Sequence, residues 1–186
     1  DGRSAIDAAA AIVDIVRADH RRLAETLDDL LGCGTWNVGI IRGGGQGISV
    51  VAPTSYLGID RRLMPDEDPH AIAETLRKTI REKKIDTDGI SVEVRVTMEM
   101  PGFATAPPDH PLVTAAVGSV TDAGTATSVG GWSAACDGGF VSRDLGIPPS
   151  IVLGPPGNIN TDAHQPTSRS PSQIWSLRQR RTRSPG

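Results

Sequence analysis

The sequence predicts an α+β region followed by a shorter α/β region. Three observations predict this: a helix, strand, strand, helix, strand order of hydrophobic periods up to Glu99, a Pro-rich change of composition at 100–111, and a second set of short elements beyond it. The chain has 186 residues, 38% hydrophobic, with 21 Gly, which suffices for a core. Only two Phe, three Trp and one Tyr are present, so Ile, Val, Leu and Ala must do most of the packing.

Ser4, with Asp7 three residues on, caps a helix in which Ile6, Ala9, Val13, Val16, His20, Leu23, Leu27 and Leu30 recur at three and four residues until Gly32. This reads as one long amphipathic helix. Residues 36–42 and 48–62 read as two strands joined by the Gly-rich turn 43–47. That turn is not a phosphate loop, because no Gly-Lys-Ser/Thr follows and a strand comes next. Asp68 as N-cap and Pro69 at the first helical position open a second helix with an Ile72, Leu76, Ile80 stripe and a basic end at Arg81, Lys83 and Lys84. Asp88-Gly89 turns the chain into a strand, where Val92, Val94, Val96 and Met98 alternate with Glu93, Arg95, Thr97 and Glu99. In the second region, 110–123 and 137–144 read as helices. Residues 149–153 read as an apolar strand ending in Gly154-Pro-Pro-Gly157, either an ordinary turn or a place for a substrate to approach the backbone.

A net charge of −3, from 19 basic and 22 acidic residues, argues against a nucleic-acid partner. The charge is uneven: residues 167–186 hold five Arg and no acid, leaving 14 basic and 22 acidic residues elsewhere, +5 against −8. No stretch reaches the roughly 20 apolar residues of a membrane span. Cys33 and Cys136 lack Cys-x-x-Cys spacing and read as buried thiols of a reducing compartment, so a cytoplasmic location is expected.

Among the histidines, His20 and His70 lie on helices and His110 precedes a Pro, which suits solvated or structural roles. His164 sits in a polar loop beyond a strand end, with Asp137 available as a second group, a reasonable metal-ligand or acid/base address. In Asp60-Arg61-Arg62, alternation sends the two guanidiniums to opposite faces. One can recognise an anion in a cleft; a surface pair with Asp66, Glu67 or Asp68 is the competing reading.

Six blocks in order, 34–44 (Gly-Thr-Trp-Asn-Val-Gly-Ile-Ile-Arg-Gly-Gly), 60–68 (Asp-Arg-Arg-Leu-Met-Pro-Asp-Glu-Asp), 131–137 (Gly-Trp-Ser-Ala-Ala-Cys-Asp), Gly146-Ile-Pro148, Val152-Leu-Gly-Pro155 and Ala163-His-Gln-Pro166, resemble the second half of a zinc-dependent amidohydrolase family. That family includes acetylornithine deacetylase, succinyl-diaminopimelate desuccinylase, aminoacylase and glutamate-releasing carboxypeptidase. The resemblance implies a ferredoxin-like α+β lid and dimerisation domain (1–100, first strand missing) and the C-terminal part of an α/β zinc-peptidase-like catalytic domain (101–166). The basic tail 167–186 departs from the family, and a reading-frame slip leaving a disordered tail is expected. By the same resemblance His164 is a ligand to one of two zinc ions that activate a bridging water, with cobalt or manganese as substitutes. Arg62 and Asp137 are substrate-binding residues. Ser49 stands where the family usually has Asn, in a lid contact to substrate.

The implied activity is deacylation of N-acyl amino acids by a homodimer joined through its lid. The family's other metal ligands and its general base have no counterpart in residues 1–186, so this chain alone is expected to be inactive. A noncatalytic homodimerisation module is the alternative.

Overall fold

The computed structural model describes residues 2–102, 106–124, 127, 129–131, 136–147 and 151–153. Its elements are α1 (Ala5–Leu23), β1 (Thr35–Gly43), β2 (Ser55–Arg62), α2 (Pro69–Glu82), α3 (Pro111–Asp122) and α4 (Gly138–Leu145). The first four, with the extended segment 91–98, form one layered unit.

Helix α1 starts where Ser4 Oγ accepts the Ile6 amide at 3.2 Å, and Asp7 lies in its first turn against the helix dipole. The buried residues are Ala5, Ala8, Ala9, Ile12 and Val16. The inward stripe is thus turned from the expected one, sharing only Ala9 and Val16 with it, while Ile6 is exposed. Alanines on that face let the helix axis approach the sheet closely, which larger side chains would prevent.

The helix also ends earlier than its periodicity. Asp28 Oδ1 accepts the amides of Leu30 and Leu31 at 2.9 and 2.8 Å, and Asp28 and Gly32 pair through both backbone bonds. This local side-chain turn outcompetes helical continuation and leaves Leu27 and Leu30 exposed.

Strands β1 and β2 form an antiparallel pair, Thr35 opposite Arg62 and Gly43 opposite Ser55, with a bulge at Gly39. The hairpin is real, but its connection runs from 44 to 54 rather than 43 to 47, and Ile48 is fully exposed outside any strand. The start of β2 is fixed by α1 instead: the Ala5 amide donates to the Ala52 carbonyl at 3.0 Å, and Ser55 Oγ donates to the Ala5 carbonyl at 2.7 Å. These long-range bonds, and the Pro53 nitrogen that cannot donate, override the apolar run 48–52.

Helix α2 begins as its sequence dictates, with Asp68 Oδ1 accepting the His70 amide at 2.9 Å and Pro69 in the first turn. Ala73 and Ile80 are buried, with Ile72 and Leu76 half-buried beside them. The turn at 88–89 has φ of 54° at Asp88 and 89° at Gly89, the second a conformation suited to glycine. Beyond it, Ile90, Val92, Val94 and Val96 are half-buried while Ser91, Glu93, Arg95 and Thr97 are exposed, yet the segment is laddered to no strand among the described residues. The expected side-chain alternation is therefore present in this segment. The core cluster is Ala8, Ile12, Ile80 and Ile85, with Leu57, Val92 and Val94 packed on it.

In the second region α3 and α4 form close to the expected bounds, α3 capped by His110, whose Nδ1 accepts the Leu112 amide at 3.2 Å. Residues 151–153 form no strand; the rest of that expected strand, the Gly154-Pro155-Pro156-Gly157 turn, His164 and the tail lie outside the described residues. Cys33 and Cys136 are free thiols and only half-buried, against the expectation of full burial.

Candidate functional site

The densest polar arrangement lies at the open end of the hairpin, where the last turn of α1 crosses the start of β1 and the end of β2. Trp36 Nε1 donates to Asp19 Oδ2 at 2.7 Å, and the Trp36 amide donates to His20 Nδ1 at 3.1 Å. Partial burial raises the Asp19 pKa, but the hydrogen bonds from Trp36 and Arg22 and the charges of Arg22 and Arg61 outweigh it and hold the carboxyl below its ordinary value. The Arg61 guanidinium lies 5.4 Å from the Trp36 ring centroid and pairs with Glu67 Oε1 at 2.5 Å, while Glu67 Oε2 accepts the Met64 amide at 2.8 Å. Its side chain is only 9% exposed, and it fits because Gly34 has no Cβ to strike the guanidinium. Arg61 Nε is buried without a partner among the described residues.

Alternation therefore separates the two arginines as expected. Arg61 turns inward and Arg62 outward, its side chain 53% exposed with Nε donating to Asp60 Oδ2 at 2.8 Å. The surface partner is Asp60 rather than Asp66 or Asp68, and Glu67 belongs to Arg61. An exposed pair of this kind contributes at most about 1 kcal/mol, so a carboxylate ligand can compete for the planar fork of Arg62.

The other sequence candidates are dispersed. Ser49 is exposed in the 44–54 connection, at the opposite end of a β2 strand that spans about 23 Å from Ser55 to Arg62 at the usual rise per residue. Asp137 is exposed at the N-cap of α4, where its carbonyl accepts the amides of Phe140 and Val141 at 3.1 and 3.3 Å and its carboxylate makes no capping bond. Gly139, two residues on, packs against the Pro101 carbonyl. Arg62 and Ser49 are thus not brought together, and Asp137 stands on a separate element. His164 lies outside the described residues.

Among the described residues no group of three or more His, Cys, Asp and Glu side chains could hold a metal ion. Nor, among the described residues, is any helix long and apolar enough to cross a membrane. The Asp19, Trp36 and Arg61 network escaped sequence reasoning, because nothing local tells that the end of α1 crosses β1. Trp36 and Arg61 are far apart in the chain and meet only through the β1–β2 register.

The family model of a peptidase dimerisation domain matches residues 1–88. The chain is also similar to the crystal structure of a tripeptidase from Staphylococcus aureus, with 25% sequence identity and a TM-score of 0.50 over 78% of this chain. It spans 36% of that tripeptidase chain. No curated protein matches it. Residues 1–88 therefore have the α+β fold of a peptidase dimerisation domain, within a chain whose wider structure is similar to part of a tripeptidase.

Proposed function

We propose that this chain is the dimerisation and C-terminal portion of a cytoplasmic, metal-dependent peptidase-family hydrolase that deacylates N-acyl amino acids. The observation that carries the reading is the dimerisation-domain match over 1–88, supported by the likeness to a tripeptidase over 78% of the chain. Arg62, exposed at the end of β2, is assigned to the substrate carboxylate, with Asp137 and Ser49 as further substrate contacts. The described residues do not themselves fit a metal: no ligand cluster exists among them, and His164 is the single candidate ligand. The zinc pair that the resemblance implies therefore needs ligands from beyond these residues, and this chain alone is inactive.

The test is made on the full-length parent. It is expected to bind about two zinc ions, to hydrolyse N-acyl amino acids, and to lose both a metal ion and activity on His164→Ala. Unchanged activity of that variant would remove His164 from the site. Turnover of tripeptides without any deacylation would replace the substrate class and keep the family.

A noncatalytic homodimerisation module is the second reading, favoured by the outer edge of β1. That edge is unpaired among the described residues, with Ile40 and Ile41 42% and 63% exposed. This reading expects the 186-residue chain to dimerise without metal, with Ile41→Lys shifting it to monomer. A dimer that persists in Ile41→Lys would place the interface elsewhere.

A further inference from the structure

A groove of about 310 Å³ lies between the second half of α1 and the start of β1. The helix lines it with residues 13, 16, 17, 20 and 21, which spacings of three and four put on one stripe. Its apolar wall is Val13, Val16 and, from the strand, Val38; its polar side chains are Arg17, His20, Arg21 and Asn37. No carboxylate lines it among the described residues.

The polar groups are donors with spare capacity. The Trp36 amide donates to His20 Nδ1, so the neutral ring carries its proton on Nε2, and that N–H meets no acceptor among the described residues. Arg21 and the Asn37 side chain likewise have no hydrogen bond or ion pair among the described residues. Arg17 reaches only Asp14, at 4.0 Å and with both side chains exposed, a pair worth little in water. Asp19, beside His20 in the chain, is already held by Arg22 at 2.7 Å and by the Trp36 indole. Basic residues at the end of α1 also suit the helix dipole, but that dipole amounts to only about half a charge. Two guanidiniums therefore leave a surplus of positive charge facing the groove, in a chain whose net charge is −3.

We propose that this groove binds an organic phosphate monoester. Two planar guanidinium forks one helical turn apart, with the imidazole N–H on the same stripe, offer three donor groups to the three terminal oxygens of a phosphate. A carboxylate, with two oxygens and one charge, is served by a single fork. The three valines take the organic part, which a bare inorganic ion does not supply. None of these residues is assigned to the substrate of the proposed hydrolase, so failure here leaves that reading intact.

The probe is phenyl phosphate, titrated into the 186-residue chain at neutral pH and low salt, with inorganic phosphate and benzoate as comparisons. Binding is expected to shift the amide resonances of Arg17, Arg21 and Asn37. Arg17→Met and Arg21→Met, which keep the aliphatic stems of exposed side chains, are each expected to weaken it at least about tenfold with the denaturation midpoint unchanged. Arg21→Lys keeps the charge without the fork and is expected to fall between. Benzoate and inorganic phosphate are expected to bind more weakly than phenyl phosphate. Absence of binding, or unchanged affinity in either methionine variant, overturns the proposal. Benzoate binding as tightly overturns the phosphate assignment, and inorganic phosphate binding as tightly overturns the organic one. Loss of binding as the protein concentration rises also overturns it, in favour of a second copy as the occupant.

Discussion

Strand β2 and residues 91–98 both pack apolar side chains on one cluster drawn from α1, α2 and Ile85, yet one is a strand and the other is not. Leu57, Val92 and Val94 all pack on the Ala8, Ile12, Ile80 and Ile85 cluster. The difference lies in the backbone: β2 has β1 beside it, whereas 91–98 is held by side chains, with Arg77 bonding the Val94 carbonyl and His70 meeting Glu99. Period-two hydrophobicity thus decides which face is buried. A ladder additionally needs a neighbour at strand spacing, which the segment's own residues cannot supply.

The comparison can be broken from its shared base. Ile80 is 2% exposed and touches both sides, so Ile80→Ala is expected to cost about 2–4 kcal/mol, read as a lowered denaturation midpoint with both regions loosening together. Loss confined to one region would mean that the two do not share a core. Next in size, Asp68→Ala removes the cap of α2 and is expected to cost about 1 kcal/mol in urea unfolding.

Arg77→Met keeps the aliphatic stem but loses the bond to Val94, a change of about 1 kcal/mol that should fall on one side. Amide exchange is expected to accelerate in 91–98 and to stay constant in β1 and β2. Equal acceleration in both would show that the arginine supports the whole layer.

The smallest effect belongs to the hairpin's open end. Trp36→Phe deletes the hydrogen bond to Asp19 and is expected to cost about 0.5–1 kcal/mol at neutral pH. Because the folded Asp19 carboxyl titrates below its unfolded value, its contribution is complete at neutral pH and fades as pH falls below about 4. The gap between wild type and variant is therefore expected to narrow in acid. A constant gap would assign the loss to packing of the ring.

Much of the first region was legible because its signals are local. The Ser4 and Asp68 caps, the Asp88-Gly89 turn and the Arg61/Arg62 alternation each rest on neighbours in sequence, and each is found in the structure. Two boundaries were misread. The end of α1 is set by a local competitor, the Asp28 turn, and the start of β2 by distant partners, Ala5 bonding Ala52 and Ser55. The candidate site divides the same way. The exposure of Arg62 follows from strand period, whereas the burial of Arg61 under Trp36 follows from where α1 ends. Ser49, placed by its motif in a lid contact, lies in a connection longer than the expected turn, far from Arg62.

The central claim is that residues 91–98 carry a strand's side-chain order with no ladder partner among the described residues. Hydrogen exchange of the 186-residue chain, read residue by residue, tests it most directly. The expectation is that ladder amides of β1 and β2 exchange at least about tenfold more slowly than those of Val92, Val94 and Val96, although these valines are half-buried. Equal protection of the two sets at every protein concentration would contradict it.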